Sequence, residues 1–339
     1  MQNKRSMPWR ETKDPYRIWL SEIILQQTRV AQGLPYYVKF AETYPDVNAL
    51  AAAPEEKVMK LWQGLGYYSR ARNLHFTAKY VVNELGGVFP KTYKELLKLK
   101  GVGDYTASAI ASICYDEPTA VVDGNVYRVL SRVFGIATPI NTTSGIKQFK
   151  ALAQELIDTS QPGTFNQALM EFGARHCVPQ NPDCTRCIFA TTCVALEESQ
   201  VAAWPVKLKN LKIKKLYFNY IVPLSTDGKT VLQQRTNKGI WQKLYEFPLV
   251  ETEQLVEAEA LNKNKSFVEL KNRFKFESVI LYNETPIVHK LSHRTIETRF
   301  WIAECGKLDK KGIAISEITD FPVPVLIDSF ISSFSDFHD

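Results

Sequence analysis

Through the first 194 residues, apolar side chains recur at three- and four-residue spacing with short connections and little strict alternation. That is the pattern of helices which each turn one face to a core. Asp14-Pro15 supplies a cap followed by proline at the first helical position, and Ile18, Trp19, Ile23 and Val30 continue a helical period through Tyr16–Val30. The same reading predicts helices over Val47–Trp62, Ser69–Leu85, Thr92–Leu99, Thr106–Tyr115, Val126–Phe134, Ser144–Ile157 and Asn166–His176. Beyond residue 216 the period becomes two. Tyr217–Pro223, Thr230–Arg235, Ser278–Tyr282 and Thr298–Ala303 read as strands, with Ser225–Gly228 as a turn. The chain is therefore expected to be multidomain and mainly α. An all-helical domain spans 1–194, a linker 195–216 and a smaller α+β domain 217–339.

Composition narrows the class. The 339 residues are 45% apolar and 23% charged, values that exclude collagen, pervasive disorder and a small disulfide scaffold. The longest apolar stretches, such as Ala107–Tyr115, fall far short of the ~20 residues that span a bilayer. The N-terminus lacks the apolar core of a signal peptide, so a soluble protein in the cytoplasm is expected. The net charge of +6 is uneven. Residues 1–200 carry 22 basic and 19 acidic side chains, residues 201–216 five lysines (207, 209, 212, 214 and 215) and no acid, and residues 217–339 15 basic and 17 acidic. Positive charge in the first segment and linker fits a polyanionic partner, although many soluble proteins carry such an excess.

Four of the six cysteines, Cys177, Cys184, Cys187 and Cys193, form a C-x6-C-x2-C-x5-C pattern. Thiolates this close in a reducing compartment hold metal more often than disulfides. Zinc ribbons pair two C-x2-C knuckles, and only Cys184–Cys187 makes one here. The unequal loops suit a 4Fe–4S cluster better.

Three further strings carry candidate chemistry. Gly101-Val102-Gly103 sits between two predicted helices, where its amides can face a phosphate at the next helix N-terminus; any tight interhelical turn can use the same residues. Asp123, in Val121-Val122-Asp123-Gly124-Asn125-Val126, reads first as a helix N-cap, where a carboxylate is favoured. Glu22 shares a helical stripe with Ile18, Leu25 and Arg29. Buried there, its pKa would rise and suit it to general acid work; exposed, it would simply pair with Arg29 or Gln26.

Taken together, these strings resemble the endonuclease III superfamily, and within it the MutY-type adenine DNA glycosylases. The resemblance rests on Ser21-Glu22-Ile23, Gln26-Gln27-Thr28, Met7-Pro8-Trp9-Arg10, Trp62-Gln63-Gly64-Leu65-Gly66-Tyr67-Tyr68, the Asp123 string, Phe165-Asn166-Gln167 and the cysteines, and it covers residues 7–250. It implies a helix-hairpin-helix at about 96–115, a structural 4Fe–4S cluster on the loop 177–193, and Glu22 and Asp123 as catalytic carboxylates aided by Tyr105 and Asn125. Arg10 and Gln167 would contact the extruded adenine. Gln27 and Tyr67 would fill and wedge the base stack, Thr28, Leu65 and Ser292 would surround 8-oxoguanine, and Gly101 and Gly103 would grip the backbone. Bifunctional relatives carry a Schiff-base lysine where this chain has Tyr105, which implies base removal without strand cleavage.

The last segment resembles a Nudix-like recognition domain through Gly239-Ile240-Trp241-Gln242-Lys243-Leu244-Tyr245-Glu246-Phe247-Pro248. No magnesium-binding R-E-x-x-E-E run follows, so pyrophosphate hydrolysis is not expected. The family's F-S-H lesion loop here reads Leu291-Ser292-His293, with its aromatic replaced. The implied partner is double-stranded DNA containing an adenine:8-oxoguanine mispair, acted on by a monomer with no membrane association. Two rivals stand beside this reading: a bifunctional enzyme acting on oxidised pyrimidines, and a lesion-binding protein without catalysis.

Overall fold

The structure, a computed structural model, describes residues 5–208, 213–308 and 312–338. Eleven helices come first among them: α1 (Pro15–Leu25), α2 (Val30–Thr43), α3 (Val47–Ala52), α4 (Glu55–Leu61), α5 (Ser69–Leu85), α6 (Tyr93–Leu96), α7 (Asp104–Tyr115), α8 (Gly124–Phe134), α9 (Thr143–Leu156), α10 (Pro162–Arg175) and α11 (Val194–Glu197). Strands and helices then mix: β1 (Lys214–Ser225), β2 (Lys229–Thr230), β3 (Gln233–Gln234), β4 (Tyr245–Glu246), β5 (Leu249–Thr252), α12 (Ala258–Asn262), α13 (Lys265–Phe274), β6 (Phe276–Leu281), β7 (Ile287–Leu291), β8 (Arg294–Cys305), β9 (Ile313–Ala314) and α14 (Val325–Ser333). The chain divides into two compact units, 1–53 with 72–209 and 54–71 with 210–339.

In the helical unit α7 is central. Thr106 to Ile113 are all buried, and most of them are small residues. Small side chains let neighbouring helices come close. On α10, a Cβ at Gly163 would lie 2.7 Å from the Ser112 carbonyl oxygen. Behind them Ala120, Val126, Leu130, Phe149 and Ala153 close a second core cluster. Asn166 of α10 ties these parts together: its Nδ2 donates to Ser112 Oγ and the Thr119 carbonyl, both at 2.9 Å, and its Oδ1 accepts from the Val121 amide at 3.0 Å. It thereby anchors the extended segment that delivers Asp123.

In the second unit the sheet runs β5-β1-β8-β6, with β7 also paired to β8. β1 and β8 are parallel from Lys214↔Arg294 to Ser225↔Cys305, and β5, β6 and β7 are antiparallel to their neighbours. Successive side chains of a strand face opposite sides. Ile221 and Trp301 accordingly meet Phe267 and Phe274 of α13 on one side, while Tyr220 stacks on Phe300, and Phe300 on Phe330 of α14.

Several expectations shift. The helix expected through Val30 ends at Leu25 and α2 starts afresh at Val30. Gln27 between them has φ 53°, so Arg29 does not share the Glu22 stripe. The helix expected over Val47–Trp62 breaks at Ala53-Pro54, because proline disfavours helical geometry in the residue before it. Thr230–Arg235 is two short strands in separate two-stranded sheets. Residues 195–208 are not a free linker either. Ile140 donates its amide to the Val206 carbonyl at 3.0 Å, Leu208 its amide to Asn141 Oδ1 at 2.9 Å, and Arg132 its Nε to the Trp204 carbonyl at 3.2 Å. Lys214 and Lys215 belong to β1, while Lys209 and Lys212 lie outside the described residues. Finally, residues 54–71 group with the second unit and not with the helical domain that contains them in sequence.

Candidate active site

Residues from α1, α7, α8, α10 and the N-terminal turn Pro8–Arg10 enclose a cavity of about 180 Å³. A cavity of ~150 Å³ accepts a benzene ring in another protein, so this one suits a single heterocycle. Glu22, Tyr105, Asp123, Asn125, Gln167, Arg10 and Thr28 line it, with Ile18, Leu25, Ile113 and Met170 as apolar walls. The stripe Ile18, Glu22, Leu25 expected on one helix face is thus real, and it faces inward.

Glu22 borders the cavity and keeps some accessible surface, yet protein encloses its carboxyl group. Burial pushes its pKa up. A hydrogen bond from Tyr105 and the charge of Arg10 pull it down, the nearby Asp123 charge raises it, and the outcome is about 7. Burial, followed by the Glu22 and Asp123 charges, pushes the Tyr105 hydroxyl well above its ordinary value. That hydroxyl also lies 3.5 Å from Met170 Sδ.

Asp123 caps α8. Its Oδ1 accepts from the Asn125 and Val126 amides at 2.9 and 2.8 Å, and its Oδ2 from Asn125 Nδ2 at 2.7 Å. Asn125 is held in turn, its Oδ1 accepting from Arg128 Nη2 at 2.9 Å. Arg128 also donates to the Gly173 and Cys177 carbonyls at 2.5 and 2.7 Å. Gly173 must be glycine for this approach, since a Cβ there would come within 2.8 Å of Asn125 Cβ. The N-cap reading and the catalytic reading of Asp123 are therefore compatible: capping aims the free face of the carboxylate into the cavity.

Sequence reasoning missed Arg5 and Glu171, which complete the wall. Arg5 donates Nε and Nη2 to the two Glu171 oxygens at 2.7 Å each, and Arg10 donates Nη2 to Oε2 at 2.8 Å. Burial opposes ionisation of Glu171, but the two guanidiniums outweigh it and take its pKa down to about 2. A signal was available. Gln167, Met170, Glu171 and Ala174 are spaced i, i+3, i+4, i+7 on α10, so a cavity role for Gln167 extends to the others.

The other expected contacts fall on exposed turns of the two units. In the helical unit Gly101 has φ 83°, and a Cβ there would lie 2.8 Å from Asn73 Cβ. Gly103 begins α7 with no side-chain cap, leaving first-turn amides open to an anion. Gln27 is exposed in a left-handed conformation that favours glycine. In the second unit the turn Gly64-Leu65-Gly66-Tyr67 has φ 95° at Gly64, 72° at Gly66 and 47° at Tyr67. Tyr67 is 47% exposed, and its hydroxyl lies 2.6 Å from Ser292 Oγ. Ser292 and His293 form the exposed two-residue tip of the β7–β8 hairpin. Leu65 differs from expectation: its side chain is 5% exposed and its amide bonds the Trp62 carbonyl, so it shapes the turn and does not project from it.

Cys177, Cys184, Cys187 and Cys193 line one largely apolar cavity with Phe172, Phe189 and Leu196. Arg132 Nη1 donates to Cys177 Sγ at 3.3 Å and the Phe189 amide to Cys187 Sγ at 3.4 Å. Among the described residues, no group of three or more His, Cys, Asp or Glu side chains is arranged to hold a metal ion.

Comparison with known proteins agrees with this geometry. Residues 20–158 match the HhH-GPD superfamily of base excision DNA repair proteins, and residues 219–333 match the NUDIX domain. A solved thermostable thymine-DNA glycosylase aligns with TM-score 0.54 and 33% identity over 58% of this chain and 90% of its own. The fold and cavity thus define a DNA glycosylase of the helix-hairpin-helix class with an appended NUDIX domain. The adenine DNA glycosylase of Buchnera aphidicola subsp. Baizongia pistaciae is 36% identical over 299 residues, 86% of this chain and 80% of that protein. The Homo sapiens adenine DNA glycosylase is 46% identical over 214 residues, 60% of this chain and 39% of that longer protein. The chain belongs to the adenine DNA glycosylase family, enzymes of base excision repair that remove adenine from DNA.

Proposed function

We propose that the chain excises adenine paired with 8-oxoguanine, or with guanine, and leaves an abasic site without cutting the strand. The observation that carries this reading is the pairing of two unlike carboxylates across one base-sized cavity: Glu22, half protonated near neutral pH, and Asp123, aimed by three hydrogen bonds. Excision from a duplex requires the base to leave the stack, and Gln27 and Tyr67, each exposed on its own unit, would fill and wedge the stack. Arg10 and Gln167 would hold the flipped adenine, and Glu22 would protonate it at N7. Protonation turns adenine into a neutral leaving group while positive charge develops on the sugar. Asp123 would stabilise that charge, the kind of electrostatic term that is often the largest in catalysis. Glu22, now a carboxylate, would take a proton from the attacking water. Tyr105 stands where a lyase amine would be, and a phenol cannot form a Schiff base.

The four cysteines fit a 4Fe–4S cluster. They share one apolar cavity, Cys177 and Cys187 receive N–H donors that complement thiolate charge, and the cluster needs each thiolate on a different iron, with no convergence on a single ion. When bound, it would brace the loop 177–193. Purified protein should contain iron and acid-labile sulfide in equal amounts.

The deciding experiment uses labelled duplexes carrying adenine opposite 8-oxoguanine, guanine or thymine, each developed with and without alkali. Breakage at adenine only after alkali, strongest opposite 8-oxoguanine, supports the proposal. Breakage without alkali restores a lyase. Tight binding with no breakage at all restores a recognition protein.

A further inference from the structure

The ion-pair cluster at the cavity wall joins two parts of the chain 161 residues apart, Arg10 on the N-terminal turn and Glu171 on α10. Glu171 receives three charge-assisted donors, and the side chains of Glu171 and Arg10 keep only 8% and 10% of their exposure. Met7 and Trp9, at 2% and 6% exposure, seat the same turn in the core. The turn is therefore seated in the core, and its ion pair holds the guanidinium of Arg10 at the cavity that Glu22 also lines. An unbalanced cation there would hold Glu22 as a carboxylate and remove the proton that the reaction needs. The charged and titratable groups facing Glu22 are Tyr105 and Cys114 from α7, Asp123 from the cap of α8 and Arg10 from the turn, and Arg5 and Glu171 line the same cavity.

We propose that Glu171 is a positioning residue for adenine excision: its carboxylate, shared between Arg5 and Arg10, fixes Arg10 where the flipped base enters and offsets the guanidinium charge that Arg10 presents to Glu22. The cluster as built carries two cations and one anion. Glu171→Gln makes it more positive by one charge, Arg5→Gln less positive by one, and the double variant restores the original balance with different side chains.

This rests on Glu22 acting as the general acid, so the test reads the alkaline limb of single-turnover adenine release for the full-length holoenzyme on the 8-oxoguanine duplex. Opposite charges close by move a carboxyl pKa by about one unit or more. The limb should move down by about one pH unit in Glu171→Gln, up in Arg5→Gln, and back to the wild-type position in the double variant. A structural clamp would instead lower the plateau rate or the melting temperature in every variant and leave the limb in place, and that result overturns the proposal. Arg5→Gln keeps the Arg10–Glu171 pair, so the proposal remains testable if Glu171→Gln does not fold. Absence of any alkaline limb in the wild type would refute the Glu22 reading itself, a failure distinct from a limb that is present but unmoved.

Discussion

Replacing Glu22 with glutamine should abolish excision and make the protein more stable above neutral pH. Glutamine matches glutamate in shape but cannot deliver a proton to adenine. General acid catalysis is worth about 10²–10⁴ in rate, so kcat should fall by at least about a hundredfold with substrate binding intact. The stability side follows from linkage. The folded pKa of Glu22 is about 7 against 4.5 for an ordinary glutamate, so the folded state holds this proton more tightly than the unfolded chain does. Wild-type stability therefore falls as pH rises from 4.5 to 7 and then levels off. At 1.36 kcal/mol per unit, the loss at pH 8 is about 3 kcal/mol. The variant escapes this loss and should melt several degrees higher than wild type at pH 8, with a difference of only about 1 kcal/mol at pH 5. Calorimetry at the two pH values, paired with single-turnover assays, checks both halves. Equal melting temperatures at pH 8 would show that the Glu22 carboxyl is solvated, and the general acid argument would fall with its burial. Substantial adenine release by the variant would refute it directly.

Other substitutions separate chemistry from structure. Asp123→Asn keeps the two backbone cap bonds but turns an NH2 against the Asn125 Nδ2 donor, so thermal stability should fall by about 1–3 kcal/mol while turnover drops at least about a hundredfold. Gly101→Ala places a Cβ 2.8 Å from Asn73 Cβ at a positive φ; a loss of about 1–3 kcal/mol in urea unfolding and weaker binding to undamaged duplex are expected. Gln27→Gly relieves a left-handed conformation and should keep or raise stability by up to about 1 kcal/mol, while slowing base flipping, read by fluorescence of 2-aminopurine at the adenine position. Cys184→Ser should lose bound iron, measured by elemental analysis of the purified protein.

Periodicity alone separated the helical unit from the strand-containing one, because burial of one face imposes 3.6- and two-residue repeats wherever an element packs. Ser69–Leu85 was legible to the residue. The cysteine spacing and the Asp123 cap were legible too, since both depend on neighbours only a few residues away. What the sequence could not decide was which way Glu22 faces. A helical glutamate beside apolar residues can point to solvent or to a core, and only the meeting of α1 with α7, α8 and α10 encloses it and raises its pKa. The same holds for Glu171, whose two arginine partners lie 161 and 166 residues away, and for residues 54–71, which join the strand-containing unit although helical sequence surrounds them. Local spacing carries conformational preference. Burial, and the electrostatics that follow from it, belong to contacts between distant segments, so they arise only once the chain has folded.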